Sequence, residues 1–270
     1  MANSINTNSG AQVALQALNQ TNRDLGVTQN RINTGKNVSS AKDNGAIFAI
    51  ATAQRAEQGA LNAVKNSIQR GQSILDVAQA GGATIVEALE KQKALAVNIA
   101  SSTGAAQTAY LADFNALGGE ITKALQGSTF DGVNLFTAVT ETNVLTGTAA
   151  GSTKLIGQTG TAGVVTPVAV ATAGTGSTAG TATVAAVEGA ITAFTAVLGS
   201  FGSQSQSLDR SLVFTSKLQD AIETGVGNLV DADLAKESAK LTALQTKQQL
   251  GVQALSIANQ SSSILLSLFR

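Results

Sequence analysis

The sequence predicts a mainly α protein: a long coiled-coil-like helical hairpin with paired N- and C-terminal helices and a small β or loop insertion at its tip. Three observations carry this. Apolar residues recur every seven positions, with companions three residues on, along most of the 270 residues. The single proline is Pro167, so long helices meet almost no covalent obstacle. The stretch around that proline is rich in Thr, Gly, Ala and Val and drops the seven-residue pattern.

Taken in order, Ala11, Leu18, Leu25 and Ile32 place a narrow-striped helix over 11–34, suited to a single partner helix. Gly35 reads as its left-handed cap. Residues 38–42 are irregular, and Asp43 or a nearby serine caps the next helix. That helix runs from Asn44 to about Ala100. Ile47, Leu61, Ile68, Leu75, Leu89 and Ala96 form one ladder, and Ile50, Val64, Gly71, Ala78, Ile85 and Ile99 its partner. Gly81-Gly82 is a weak point, costing about 1 kcal/mol per glycine relative to Ala. After a turn at 101–104, residues 105–126 form a shorter helix with Leu111, Phe114, Leu117, Ile121 and Leu125 on one face.

From Phe130 to Phe136 the chain reads as a turn feeding a strand. Residues 143–183 carry one charge, Lys154, and strand-like alternation at Val164-Val165 and Val168 to Val170. They are expected to form a surface-placed insertion. Helix resumes near Val184 on a ladder of Val187, Phe194, Phe201, Leu208, Ile222 and Leu229, and breaks near Gly225 to Asn228.

The last forty residues, 231–270, read as one helix capped by Asp231. Leu234, Leu241, Leu255 and Phe269 lie on one ladder, Leu244, Gly251, Ala258 and Leu265 on its companion, and Ala243, Leu250, Ile257 and Ile264 on a second face. A helix apolar on more than one side requires burial on more than one side. The N-terminal helix supplies part of the cover and other copies the rest. The expected inter-subunit packing residues are Leu18, Leu25, Ile32, Leu234, Leu241, Leu244, Leu250, Leu255, Ile257, Ile264, Leu265 and Phe269.

Composition narrows function. Seventeen basic and seventeen acidic residues leave no net field to attract nucleic acid or an anionic membrane. Aromatics are 3% of the chain and Trp is absent, which disfavours base-stacking platforms. The absence of His and Cys removes the commonest general base, thiolate nucleophile and metal ligands. No cofactor or metal is expected. No run of about 18 consecutive apolar residues suggests a membrane span, and the first residues lack the pattern of a cleaved signal peptide.

Several short motifs then point to one family. Arg31-Ile32-Asn33-Thr34-Gly35-Lys36 and Ser40-Ala41-Lys42-Asp43 resemble the N-terminal signature of bacterial flagellin. Thr129-Phe130-Asp131-Gly132-Val133 is similar to its T-x-F-N-G motif, with Asp131 where Asn is usual. Leu244 to Gln248, Ala258-Asn259-Gln260 and Leu265 to Leu268 resemble its C-terminal signature. The resemblance covers both ends and leaves about 140–184 without a counterpart. It implies a non-enzymatic subunit of the flagellar filament, a homopolymer outside the cell, exported without signal cleavage by the flagellar machinery and a chaperone. Cap and hook-junction proteins would be its neighbours. It also implies an inner domain of residues 1–42 with 230–270, an outer rod of 43–142 with 184–229, and a variable surface insertion, 143–183. A hook–filament junction protein is the alternative, but such proteins match the family's ends less well. Glu90 to Asn98 resembles the segment read by the innate flagellin receptor. Leu95 and Glu120 fit, but Lys91 stands where Arg is typical and Ala94 where Glu is typical. Lysine lacks arginine's planar fork, so receptor activation is expected to be weak.

Three local patterns mimic other chemistry. Gly174 to Gly180 has a GxGxxxG spacing, not the dinucleotide GxGxxG, and lacks the strand–helix–strand context. Ser39 to Lys42 has SxxK spacing without its partner motifs. Asp231-Ala232-Asp233 opens like a calcium loop, but Lys236 occupies the glycine position.

Overall fold

A computed structural model describes residues 8–136, 142–149, 151–157 and 178–267, with side chains in the last helix described to residue 260. Among these residues are five helices: α1 (Ser9–Thr34), α2 (Gly45–Ser101), α3 (Ala105–Gly127), α4 (Val184–Val230) and α5 (Leu234–Ser267). Two short strands, β1 (Thr142–Leu145) and β2 (Thr153–Ile156), pair antiparallel with Thr142 opposite Ile156 and Leu145 opposite Thr153. The chain divides into two compact units, a terminal one of residues 1–56 and 221–270 and a central one of 57–220.

The central unit holds the main core. The ladder residues Ile68, Leu75, Ile85, Leu89, Ala96 and Ile99 of α2 are buried there with Phe114 and Ile121 of α3 and Phe194, Phe201 and Leu208 of α4. Phe136 stacks on Phe194 with ring centroids 5.2 Å apart. The polar rung Gln92 is also buried, and its Nε2 donates to the Phe114 carbonyl at 3.0 Å. One 18-residue window of α4 reaches a mean hydropathy of 1.6. Its Val187, Phe194, Val197 and Phe201 are packed into this core.

The glycine pair in α2 does not break the helix. A Cβ on Gly82 would lie 2.3 Å from Leu198 Cδ2, and one on Gly81 would lie 1.9 Å from Ser128 Oγ. Close packing at these notches offsets the propensity cost read from sequence. Gly71 is a third notch: its Cβ would meet Val144 Cγ2 at 2.6 Å. Through it the β hairpin joins the core. Val144 and Ile156 are buried, while Leu145 and Leu155 face outward. The hairpin is thus not wholly surface placed. The Leu145 N–H donates to Ser67 Oγ at 2.9 Å. Gly157 and Gln204 exchange two hydrogen bonds, at 3.0 and 2.9 Å, and Lys154 Nζ donates to Ser207. The alternations at Val164 to Val170, and most of the glycine-rich 174–180 stretch, lie outside the described residues.

Phe130 to Val133 closes as a two-residue turn, as expected, but no strand follows it through Phe136. The Phe130 and Val133 backbones exchange hydrogen bonds at 3.0 and 2.9 Å. Asp131 (φ 51°) and Gly132 (φ 76°) take the left-handed conformations such a turn requires.

In the terminal unit, Asn8 caps α1 through Oδ1, which accepts from the Ala11 N–H at 3.0 Å, and Gly35 ends it at φ 68°. The cap of α2 is Asn44, not Asp43. Its Oδ1 accepts from the Ala46 and Ile47 N–H groups at 3.1 Å each. Asp43 instead ties the preceding loop, accepting from the backbone and hydroxyl groups of Ser39 and Ser40. The cap of α5 is Asp233, which accepts from Ala235 N–H at 3.0 Å and Lys236 N–H at 3.1 Å. Asp231 lies in a bridge opposite Lys36. Gly225 and Gly227 sit inside α4, which continues to Val230. Val226 and Val230 pack there on Ala51, with Ile47 and Ile222 beside them.

Candidate assembly surface

The expected packing residues fall on α1 and α5, which pair in opposite directions. Arg31 Nη1 meets Glu237 Oε1 at 3.1 Å. Further along, Gln248 Nε2 donates to Asn22 Oδ1 at 2.8 Å. Leu18 lies over Gly251, where a Cβ would be 3.4 Å from Leu18 Cδ1. Asn8 Nδ2 donates to the Ala258 carbonyl at 2.7 Å. This seam follows the ladder of sevens, which explains why both helices show the same period.

The pairing sorts the residues into two groups. Leu18, Leu25, Ile32, Leu241 and Leu255 are half-buried, and Leu244 is buried. They belong to the seam within one chain. Leu234, Leu250 and Ile257 are 52%, 59% and 67% exposed. Ile264 and Leu265 lie in the last turns of α5, but their side chains, like all of Phe269, lie outside the described residues. Sequence reasoning missed Val13, Leu15, Val27 and Val252, which are also exposed. Their signal was available: each is apolar yet off the ladder facing the partner helix.

Such a surface offers no chemistry beyond burial. Each aliphatic side chain taken fully out of water contributes about 1.5–3 kcal/mol, and large apolar side chains left outside on both paired helices mark an interaction face.

In the receptor-like segment of the central unit, Leu95 is half-buried against the core, and Lys91 and Glu120 are exposed. Lys91 Nζ pairs with Glu87 at 2.8 Å. The hydrogen bond from Lys91 and its charge lower the Glu87 pKa, and the same bond raises that of Lys91, with a smaller contribution from Glu120.

Comparison with known proteins decides the family. Residues 5–141 match the bacterial flagellin N-terminal helical region, and residues 184–269 match the bacterial flagellin C-terminal helical region. The chain belongs to the bacterial flagellin family. It is 51% identical to flagellin FljM and 53% identical to flagellin FljN of Caulobacter vibrioides, in each case over 99% of both chains. Flagellin of Brucella melitensis is 36% identical, again over 99% of each chain. The family assignment also fixes the context of the two helical regions: they flank the insertion and include all five described helices.

Proposed function

We propose that this flagellin polymerises through the outward faces of α1 and α5, as a structural and non-catalytic subunit of the bacterial flagellar filament. The observation that carries this is the set of large apolar side chains, Leu234, Leu250, Val252 and Ile257 on one helix and Val13, Leu15 and Val27 on the other, left exposed although their helices are already paired. The inner domain of 1–42 with 230–270, the rod of 43–142 with 184–229, and the insertion 143–183 remain the domain reading. The inter-subunit residues, including Ile264, Leu265 and Phe269, belong to the first. Export by the flagellar machinery without a cleaved signal, escort by a chaperone, and contact with cap and hook-junction proteins complete the proposal. The full-length match to relatives named flagellin favours this over a junction protein.

The single chain sharpens the choice of test. Leu255 is half-buried in the chain itself, so a charge there would disturb monomer and polymer alike. Leu250→Asp and Ile257→Asp place the charge on the open face. Each variant should keep the circular dichroism and melting temperature of the monomer and form no long filaments after salting out, as seen by negative-stain microscopy. Normal filaments from both variants would refute this assembly face.

A further inference from the structure

We propose that Asn44 is a self-modifying site: its side-chain amide is lost within the folded chain, promoted by the helix cap that Asn44 itself forms. Asn44-Gly45 is the only Asn-Gly pair in the sequence. Both residues are exposed. A Cβ on Gly45 would meet nothing within 4 Å, so neither a side chain nor a packed neighbour shields the Gly45 nitrogen. Gly45 is the first residue of α2, where an N–H has no carbonyl one turn back inside the helix. That N–H donates to nothing among the described residues. A nucleophile therefore stands next to the amide with no hydrogen bond to break first.

The electrophile is prepared by the cap. Asn44 Oδ1 accepts from the Ala46 and Ile47 N–H groups at 3.1 Å each. These bonds keep Cγ over the first turn of α2 and draw electron density toward Oδ1. Solvent hydroxide takes the Gly45 proton, the nitrogen bonds to Asn44 Cγ, and the carbonyl electron pair moves onto Oδ1. The same two N–H groups meet that developing charge as an oxyanion hole would, at the helix end that favours anions. The carbonyl re-forms as Nδ2 takes a proton from water and leaves as ammonia. One water then opens the cyclic imide. Breaking the Gly45 nitrogen from Cγ gives aspartate, whose carboxylate still suits a cap. Breaking it from the backbone carbonyl carbon of residue 44 gives isoaspartate. There Oδ1 becomes a main-chain carbonyl oxygen, the chain is one carbon longer, and the cap is lost. The site directly follows Asp43, whose bonds to Ser39 and Ser40 tie the loop before α2. The chemistry belongs to the single chain and does not depend on polymerisation.

Purified monomer held in mildly alkaline buffer at physiological temperature, then digested with trypsin, tests this. Cleavage after Lys42 and Arg55 isolates residues 43–55, in which Asn44 is the only asparagine. This peptide should become one mass unit heavier and split into two chromatographic species. The isoaspartyl species should accept a methyl group from isoaspartyl methyltransferase. Peptide 37–42, with Asn37 before Val38, is the internal reference and should stay unchanged. Gly45→Ala places a methyl group in open space. It should keep the circular dichroism spectrum and slow the reaction several-fold. The folded chain should also react several-fold faster than the same chain in denaturant, where the cap is gone. Conversion of 43–55 no faster than that of 37–42, or undiminished in Gly45→Ala, overturns the site. A folded rate equal to or below the denatured rate overturns promotion by the cap, and with it the proposal.

Discussion

At the scale of the residue, the glycines of α2 are not equivalent. A Cβ at Gly59 would meet nothing within 4 Å, whereas one at Gly71 would press on Val144 at 2.6 Å and Leu208 at 3.2 Å. Gly59→Ala should stabilise the central unit by up to about 1 kcal/mol, the helix propensity difference. Gly71→Ala gains the same propensity but meets an overpacking cost of about 1–3 kcal/mol, and should be neutral to destabilising. Thermal melts of the two variants check the contrast. Asp43 offers a pH test. Hydrogen bonds from the Ser40 and Ser39 backbones, then their hydroxyls, hold its pKa below the usual carboxylate value. A depressed folded pKa contributes stability above the unfolded value, which is lost as pH falls through the folded one. Asp43→Asn should therefore flatten the loss of stability of the terminal unit below about pH 4 in denaturant titrations. An unchanged acid limb would show that this loop does not limit stability there. The choice among Asp43, Asn44, Asp231 and Asp233 as caps was not legible in the sequence. Adjacent residues of equal capping ability compete, and loop geometry selects one.

At the scale of the element, every helix was legible, because the period-seven ladder spans tens of residues. What failed was local: glycine read as a weak point inside α2 and as a break inside α4, where packing overrides propensity. The β hairpin was only partly legible, since four-residue strands carry little periodic signal. Its decisive contact, Val144 against Gly71, joins residues far apart in sequence. The terminal pair is a weaker element than the central one. Among the described residues the side chains α1 buries are Thr21 and Thr28. Among the described residues, Thr28 Oγ1 and Glu237 Oε2 are buried without a hydrogen-bond partner, which costs stability. Limited proteolysis of the monomer should therefore cut within α1 and α5 before it cuts 57–220. Early cleavage inside the α2 segment 61–99, with both ends intact, would contradict this.

At the scale of the molecule, two units of unequal core predict two steps in calorimetry. The central unit, with Phe114, Phe194 and Phe201 fully buried, should unfold at the higher temperature. Gln248→Leu, which removes the bond to Asn22, should move the lower transition, and Gly71→Ala the upper. One transition shifted equally by both would mean that α2 and α4, which contribute to both units, melt them as one. The assembly surface was half legible. The ladders located the helices that carry it, but a ladder marks the partner-facing side first. Leu18, Leu25 and Leu255, read as inter-subunit, are half-buried along the seam of the single chain, and Val13 and Val252 were passed over.

The notch at Gly71 also constrains how relatives diverge. A hairpin whose Val144 fills a methyl-sized gap cannot drift freely in sequence at that position. Where position 71 acquires a side chain, position 144 should shrink to Ala or Gly in the same protein. Outward-facing Leu145 and Leu155 should change with no echo in α2. Paired substitution at 71 and 144, beside independent substitution at 145 and 155, would be the evolutionary record of that gap.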